Sequence, residues 1–278
     1  MGKYFDRLCR IAEKDKHPDL VRYLNDAKLF VFPGNPSDFI PKQIESGKEK
    51  ELTEGFFLPF PTIALEDDCG VVLLHVDPNS EDNTRSIEAF DLVCNQYGYA
   101  QLSVMMVDSL KYSGDRDAPI EIYAYDNYAY AALLDKNDDV VRVIKFPEST
   151  VSDSDKFRNV GMAFYEVLIL NTPDRFVFEI APTRIRENSK KILRTHDRPI
   201  YTLLTPGEIK KRYGMGGVQS QHAAGGGITP HPRRRHRRVL RSDVFKHKQG
   251  QTIMIPACWV GPEEKQIGNK IYRVRLDV

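Results

Sequence analysis

Tyr128-Ala129-Tyr130-Ala131-Ala132-Leu133-Leu134, then Asp135-Lys136-Asn137-Asp138-Asp139, then Val140-Val141-Arg142-Val143-Ile144-Lys145-Phe146: this stretch decides the fold class. Two runs rich in aromatic and β-branched residues flank a polar segment, and Lys136-Asn137-Asp138 supplies turn chemistry between them. A connection this short can join only antiparallel strands, because a parallel crossover needs about a dozen residues or more. Residues 128–134 and 140–146 are therefore predicted to form a hairpin.

The strand-like reading extends upstream. Residues 71–76, 87–93, 100–107 and 120–125 are short β-prone runs, and Asp67, Asp68 and Gly70 offer a turn before the first of them. Phe56 to Leu65 enters as an extended segment, since Pro59 and Pro61 each bias the residue before them away from helix. Helices are few. Tyr4, Phe5, Leu8, Cys9 and Ala12 recur at helical spacing, and Pro18 opens a second helix with Leu20, Val21 and Leu24 on its apolar face. Ser152 to Asp155 offer N-caps to a third, whose stripe is Phe157, Val160, Gly161, Phe164, Tyr165, Leu168 and Ile169, stopped at Asn171-Thr172-Pro173. A strand is expected over 175–180 and a short helix from Thr205 through Tyr213. The fold class is α+β: a mostly antiparallel sheet with a few helices.

Glycine marks the clearest boundary. Gly214-Met215-Gly216-Gly217 and Ala223-Ala224-Gly225-Gly226-Gly227 bracket a segment with little to bury. We therefore expect an α+β body over 1–213, a Gly-rich connector over 214–227, and a small basic β module over 228–278. In that module Thr252-Ile253-Met254-Ile255 into Pro256-Ala257-Cys258-Trp259-Val260, then Ile271-Tyr272-Arg273-Val274-Arg275-Leu276, alternate like strands.

Charge divides the chain in the same place. Residues 231–278 hold 12 Lys and Arg against 4 Asp and Glu, a net of +8, which against a chain total of +1 leaves −7 on the first 230 residues. An acidic body with a basic end points to a polyanionic partner at that end. The four cysteines (Cys9, Cys69, Cys94 and Cys258) form no CxxC pair, which fits reduced thiols in a cytoplasmic protein. There is no apolar run of the about 20 residues that a membrane span needs, and no signal-peptide core near Met1. We expect a soluble cytoplasmic protein with no membrane partner. Walker, GxSxG and HExxH motifs are absent, so the common nucleotide-hydrolase, serine-hydrolase and zinc-protease classes are not indicated.

The densest functional signal is Pro230-His231-Pro232-Arg233-Arg234-Arg235-His236-Arg237-Arg238. Guanidinium forks match phosphate oxygens two at a time and stack on bases. Arg233, Arg234, Arg235, Arg237, Arg238 and Arg241, with Lys246 and Lys248, form a candidate nucleic-acid-binding set, and Trp259 is a candidate base-stacking platform beside Tyr272 and Phe245. In an extended chain Arg233, Arg235 and Arg237 fall in one row and Arg234, His236 and Arg238 in the other. His231 and His236 are candidate catalytic residues, a general acid and base for metal-independent RNA cleavage with arginines stabilising the phosphorane; equally, they are neutral side chains that hydrogen-bond bases or backbone. No metal site and no cofactor is expected, because the cation-rich surroundings of these histidines repel a metal. Glu66, Asp67 and Asp68 form an acidic cluster with Mg²⁺-binding potential, which a polar turn explains more simply. His75, inside an apolar run, reads as a sheet histidine rather than a ligand.

The motif Pro230-His231-Pro232-Arg233-Arg234-Arg235-His236, followed by Ile255-Pro256-Ala257-Cys258-Trp259-Val260-Gly261, resembles a C-terminal module of phage and plasmid proteins. In that module a Pro-His-x-Arg-Arg-Gly-His core precedes a strand, and its best-known carriers form the second class of type V-A anti-CRISPR proteins. His231, Arg233, Arg234 and His236 occupy the motif positions. Arg235 stands where the pattern has Gly, and Pro256 precedes Trp259 rather than following it. The resemblance covers about residues 230–261. It implies a phage- or mobile-element-type regulatory protein that lowers a target's expression through its mRNA during translation, with recognition of the nascent peptide. Its partners would be RNA or a translating ribonucleoprotein, and a protein or nascent-peptide target met by the acidic body. The alternatives are a metal-independent ribonuclease using His231 and His236, and a protein- or peptide-binding inhibitor without nucleic-acid contact.

Overall fold

The structure is a computed structural model. It describes residues 2–39, 58, 60–76, 87–95, 97–112, 120–137, 139–146, 153–171, 177–181, 195, 200–204, 231–233, 236–255, 258–260 and 271–274. Its helices are α1 (Lys3–Asp15), α2 (Pro18–Asp26) and α3 (Asp153–Asn171). The first seven strands are β1 (Lys28–Val31), β2 (Thr62–Glu66), β3 (Gly70–Val76), β4 (Ile87–Cys94), β5 (Tyr99–Tyr112), β6 (Ile120–Leu134) and β7 (Val140–Phe146). They are followed by β8 (Val177–Ala181), β9 (Ile200–Leu204), β10 (His231–Arg233), β11 (His236–Val239), β12 (Thr252–Ile255), β13 (Cys258–Val260) and β14 (Ile271–Val274).

Ten of these strands form one sheet in the order β7-β6-β5-β4-β3-β2-β1-β14-β9-β8. From β2 to β7 it is an antiparallel meander, as the short connections require. The expected hairpin of residues 128–146 is its outer edge, with Ala131 opposite Ile144 and Leu133 opposite Arg142. Strand β6 begins earlier than that hairpin. Residues 120–125 and 128–134, which read as two strands, belong to one. Met105 pairs with Asp126 and Val104 with Tyr128, so Asn127 is an extra residue in a bulge. At the β2–β3 turn the glycine is required by a close approach: a Cβ on Gly70 would lie 2.3 Å from the backbone oxygen of Leu92 on β4.

Parallel pairing appears beyond the meander, toward the other end of the sheet. Strand β1 runs parallel to β2 on one side and β14 on the other, and β14 runs parallel to β9, which closes antiparallel on β8. Here the structure departs from the expectation of a C-terminal module wholly separate from the body. Ile271–Val274 is an interior strand of the main sheet, with Leu29 opposite Ile271 and Ile271 opposite Ile200. Ile271, Tyr272 and Val274 are all buried. A strand covered on both faces reads as a short apolar run, and nothing local in it names its neighbours. The expected short helix through Tyr213 and the Gly-rich connector lie outside the described residues.

The pleat sorts the sheet's side chains into two cores. On one face Phe30, Phe60, Val72, Leu74 and Tyr272 pack with Val160, Phe164 and Val167 of α3. On the other, Leu29, Ala64, Leu73 and Ile271 pack with Phe5, Leu8 and Ile11 of α1 and Leu20 and Leu24 of α2. The result is three layers, helix–sheet–helix. The caps follow from the local residues. His17 Nδ1 accepts the Leu20 N–H at 3.2 Å, ahead of Pro18, and Lys16 ends α1 in the left-handed region at φ 57. No helix among the described residues is long and apolar enough to cross a membrane.

Candidate nucleic-acid interface

Outside the main sheet the basic segment forms two two-stranded antiparallel ladders. Strand β10 pairs antiparallel with β13 (His231 opposite Val260, Pro232 opposite Trp259, Arg233 opposite Cys258). Strand β11 pairs antiparallel with β12 (His236 opposite Ile255, Arg237 opposite Met254, Arg238 opposite Ile253, Val239 opposite Thr252). The two numbers of every pair in both ladders add to one constant, so the ladders share a register. That register runs on into the loop, where the Leu240 N–H donates to the Gln251 carbonyl at 3.0 Å and the Gly250 N–H to the Leu240 carbonyl at 2.8 Å.

The loop between β11 and β12 is tightly built. Ser242 caps a 3-10 turn at Asp243–Phe245, its Oγ accepting the Val244 N–H at 3.4 Å. The Lys248 N–H donates to the Phe245 carbonyl at 2.6 Å, and the Gln249 side-chain amide to the Arg241 carbonyl at 3.4 Å. Gly250 closes it at φ 80, a conformation that favours glycine. Leu240 is 3% exposed and anchors the loop, whereas Arg238, Arg241, Lys246, His247 and Lys248 are exposed around it. None of these basic residues has an ion-pair partner among the described side chains. Val244 protrudes at the tip, 83% exposed.

The predicted site residues thus divide. Arg238, Arg241, Lys246 and Lys248 come together on the exposed ribbon and loop. His231, Arg233, His236, Arg237 and Trp259 are placed by their backbone positions in the two ladders, and Arg234 and Arg235 lie outside the described residues. Positions alternate between faces along a strand, and cross-strand partners share a face. Within β10 position 232 faces away from 231 and 233, and within β11 positions 236 and 238 share a face opposite 237. The two candidate catalytic positions, 231 and 236, lie in different ladders.

The other candidates resolve differently. Glu66, Asp67 and Asp68 do not act as one cluster. Glu66 Oε2 accepts the Phe5 N–H at 2.8 Å, tying the first turn of α1 to the end of β2. Burial pushes its carboxyl up to about 7 despite that bond. Asp67 Oδ1 accepts the N–H groups of Cys69 at 2.5 Å and Gly70 at 3.1 Å, the polar turn expected of it. His75 is held within the sheet region: Nδ1 lies 2.8 Å from Thr62 Oγ1, and the ring stacks on Tyr23 with centroids 3.8 Å apart.

One arrangement escaped the sequence. Between the β2–β3 turn, β4 and α3 lies a cavity of about 380 Å³ whose lining includes Asp67, Asp91, Asn159 and Glu166. Asp91 sits in a strand that reads as apolar, and Glu166 in a helix that reads as core. Only their convergence marks them, and convergence is a tertiary property. Comparison of the chain with models of known families, with characterised proteins and with solved structures returned no match.

Proposed function

We infer that this protein is a regulatory RNA-binding protein that works in the cytoplasm and grips RNA, or a translating ribonucleoprotein, through its basic β-ribbon. The observation that carries this reading is the exposed set Arg238, Arg241, Lys246 and Lys248 on an ordered ribbon and loop, without ion-pair partners among the described side chains. Such cations keep their full charge for phosphate, and guanidinium groups add two-pronged contacts. Arg237 and Arg238 are successive positions of β11, so both faces of that strand offer an arginine position. The acidic body is suited to a protein or nascent-peptide target, in the manner that the resemblance of residues 230–261 to the second class of type V-A anti-CRISPR proteins implies.

The test is binding of fluorescent single-stranded RNA by the full chain over a range of salt. Arg238→Gln, Arg241→Gln, Lys246→Gln and Lys248→Gln, combined, should weaken binding and reduce the log–log salt slope by about 0.7 for each phosphate contact removed. An unchanged slope in the combined variant would show that these residues are not the phosphate contacts. Duplex DNA run beside the RNA distinguishes an RNA-selective protein from a general polyanion binder.

A further inference from the structure

Buried carboxyl oxygens without partners are uncommon, and two lie on residues that line one cavity. Asp91 is 4% exposed and Glu166 is 1% exposed, and both line it. Asp91 Oδ2 accepts one long bond from Asn159 Nδ2 at 3.3 Å, but Asp91 Oδ1 and Glu166 Oε1 have no hydrogen-bond partner among the described residues. An unsatisfied buried acceptor is costly, so natural proteins give such a group a partner or a use. Asp67 supplies a third carboxyl from the β2–β3 turn, and no Lys, Arg or His lines the cavity among the described residues.

The placement is deliberate in the fold. Asp91 on β4 pairs with Val72 on β3, which puts it on the sheet face covered by α3. Asn159, Met162 and Glu166 recur at three- and four-residue spacing, so one stripe of α3 delivers an amide, a thioether and a carboxyl to the same cavity. Leu65, Val72 and Met162 supply apolar lining to the same cavity. The acids do not converge on a point: no three His, Cys, Asp or Glu among the described residues are grouped to hold one metal ion. A cavity that spreads negative groups along an apolar wall matches a ligand that spreads positive groups along an apolar chain.

We propose that this cavity binds a short aliphatic polyamine, its ammonium groups donating to Asp91 Oδ1, Glu166 Oε1 and Asp67 and its methylenes lying against Leu65 and Met162. Among the described residues, the charged groups lining the site are Asp67 from the turn, Asp91 from β4 and Glu166 from α3. Burial raises all three carboxyls, Asp67 to about 6 and Asp91 to about 7, with Glu166 held well above the usual carboxylate range by burial and by Asp67. The empty site therefore holds protons. An arriving ammonium favours the carboxylates, so binding releases protons to solvent and tightens as pH rises.

The experiment is calorimetric titration of the full chain, freed of nucleic acid by nuclease and high salt, with spermidine, n-butylamine and Mg²⁺ in turn. Spermidine should bind at one site per chain, tighten between pH 6 and 8, and release protons when measured in two buffers of different ionisation enthalpy. n-Butylamine should bind about tenfold or more weakly, since it reaches one carboxyl only. Asp91→Asn and Glu166→Gln keep shape and replace the acids with neutral amides. Each should melt at or above the parent temperature and lose about tenfold or more of spermidine affinity. Absence of spermidine binding, binding equal in both variants, no proton release in the parent, or one-site Mg²⁺ binding that excludes spermidine would each overturn the proposal.

Discussion

Replacing Tyr272 by alanine should destabilise the whole protein, not just its C-terminal end. Tyr272 is 3% exposed in the middle of the sheet. Its ring stacks on Phe30 at a centroid distance of 4.7 Å and 15° between planes, and on Phe60 at 6.2 Å and 16°. Truncating a buried aromatic leaves a cavity and costs about 3–5 kcal/mol. Two stacked neighbours, each worth about 0.5–1.5 kcal/mol beyond area burial, place this site in the upper half of that range. For a chain of this size about 4 kcal/mol corresponds to a fall of roughly 10 °C in the melting temperature. Far-UV circular dichroism on heating, paired with urea unfolding, reads the change, and Val244→Ala at the exposed loop tip serves as a control expected to shift nothing. The reasoning rests on β14 lying between β1 and β9. If Tyr272→Ala left the main transition within 2–3 °C of the parent, or split off a small separate transition, β14 would not be an interior strand.

Three further outcomes follow from the same geometry. Gly70→Ala should cost on the order of 2 kcal/mol, because its Cβ would meet the Leu92 backbone oxygen at 2.3 Å; an unchanged urea midpoint would refute the close approach. Stability should depend on pH through the buried carboxyls. Glu66 and Asp91 titrate near 7 and Asp67 near 6 in the folded chain, but near 4 when unfolded. The folded chain holds the extra protons in that window, so their contribution is complete below about pH 4 and is lost as pH rises through 7, by up to about 1.4 kcal/mol per pH unit for each group. Asp91→Asn should therefore gain stability relative to the parent between pH 5 and 8, and a constant difference across that range would contradict the assignment. Exposed Arg238, Arg241, Lys246 and Lys248 hold nothing in place, so their combined replacement by Gln should move the urea midpoint by little, within about 0.5 kcal/mol per site; a collapse in stability would mean that they support the ribbon itself.

Much of the fold was legible because the meander is written locally. The Lys136-Asn137-Asp138 turn, the apolar stripe of α3 and the Pro18 start of α2 each need only a few neighbouring residues to be read. What resisted reading was non-local. Strands β1 and β9 are four and five residues long, too short for a period to emerge. Asp126-Asn127 looked like an interruption, yet the ladder absorbs it as a bulge. Strand β14 carries the alternation of a strand but no mark of its parallel neighbours. The basic segment shows the same split. Arginine density and extended alternation are visible in the sequence, whereas the pairing of these positions requires their partners on β12 and β13. The carboxyl cavity was invisible for a simpler reason: Asp67, Asp91 and Glu166 lie 24 and 75 residues apart in sequence, and only the packing of α3 on the sheet brings them to one space.

The central claim, that the ribbon is the RNA-contacting surface, is tested most directly by ultraviolet crosslinking in cells, with RNA-bound peptides identified by mass spectrometry. The account predicts that crosslinked peptides concentrate within residues 231–260 and disappear when Arg238, Arg241, Lys246 and Lys248 are replaced together. Crosslinks confined to residues 1–213, or no recovered RNA from a well-expressed full chain, would contradict it.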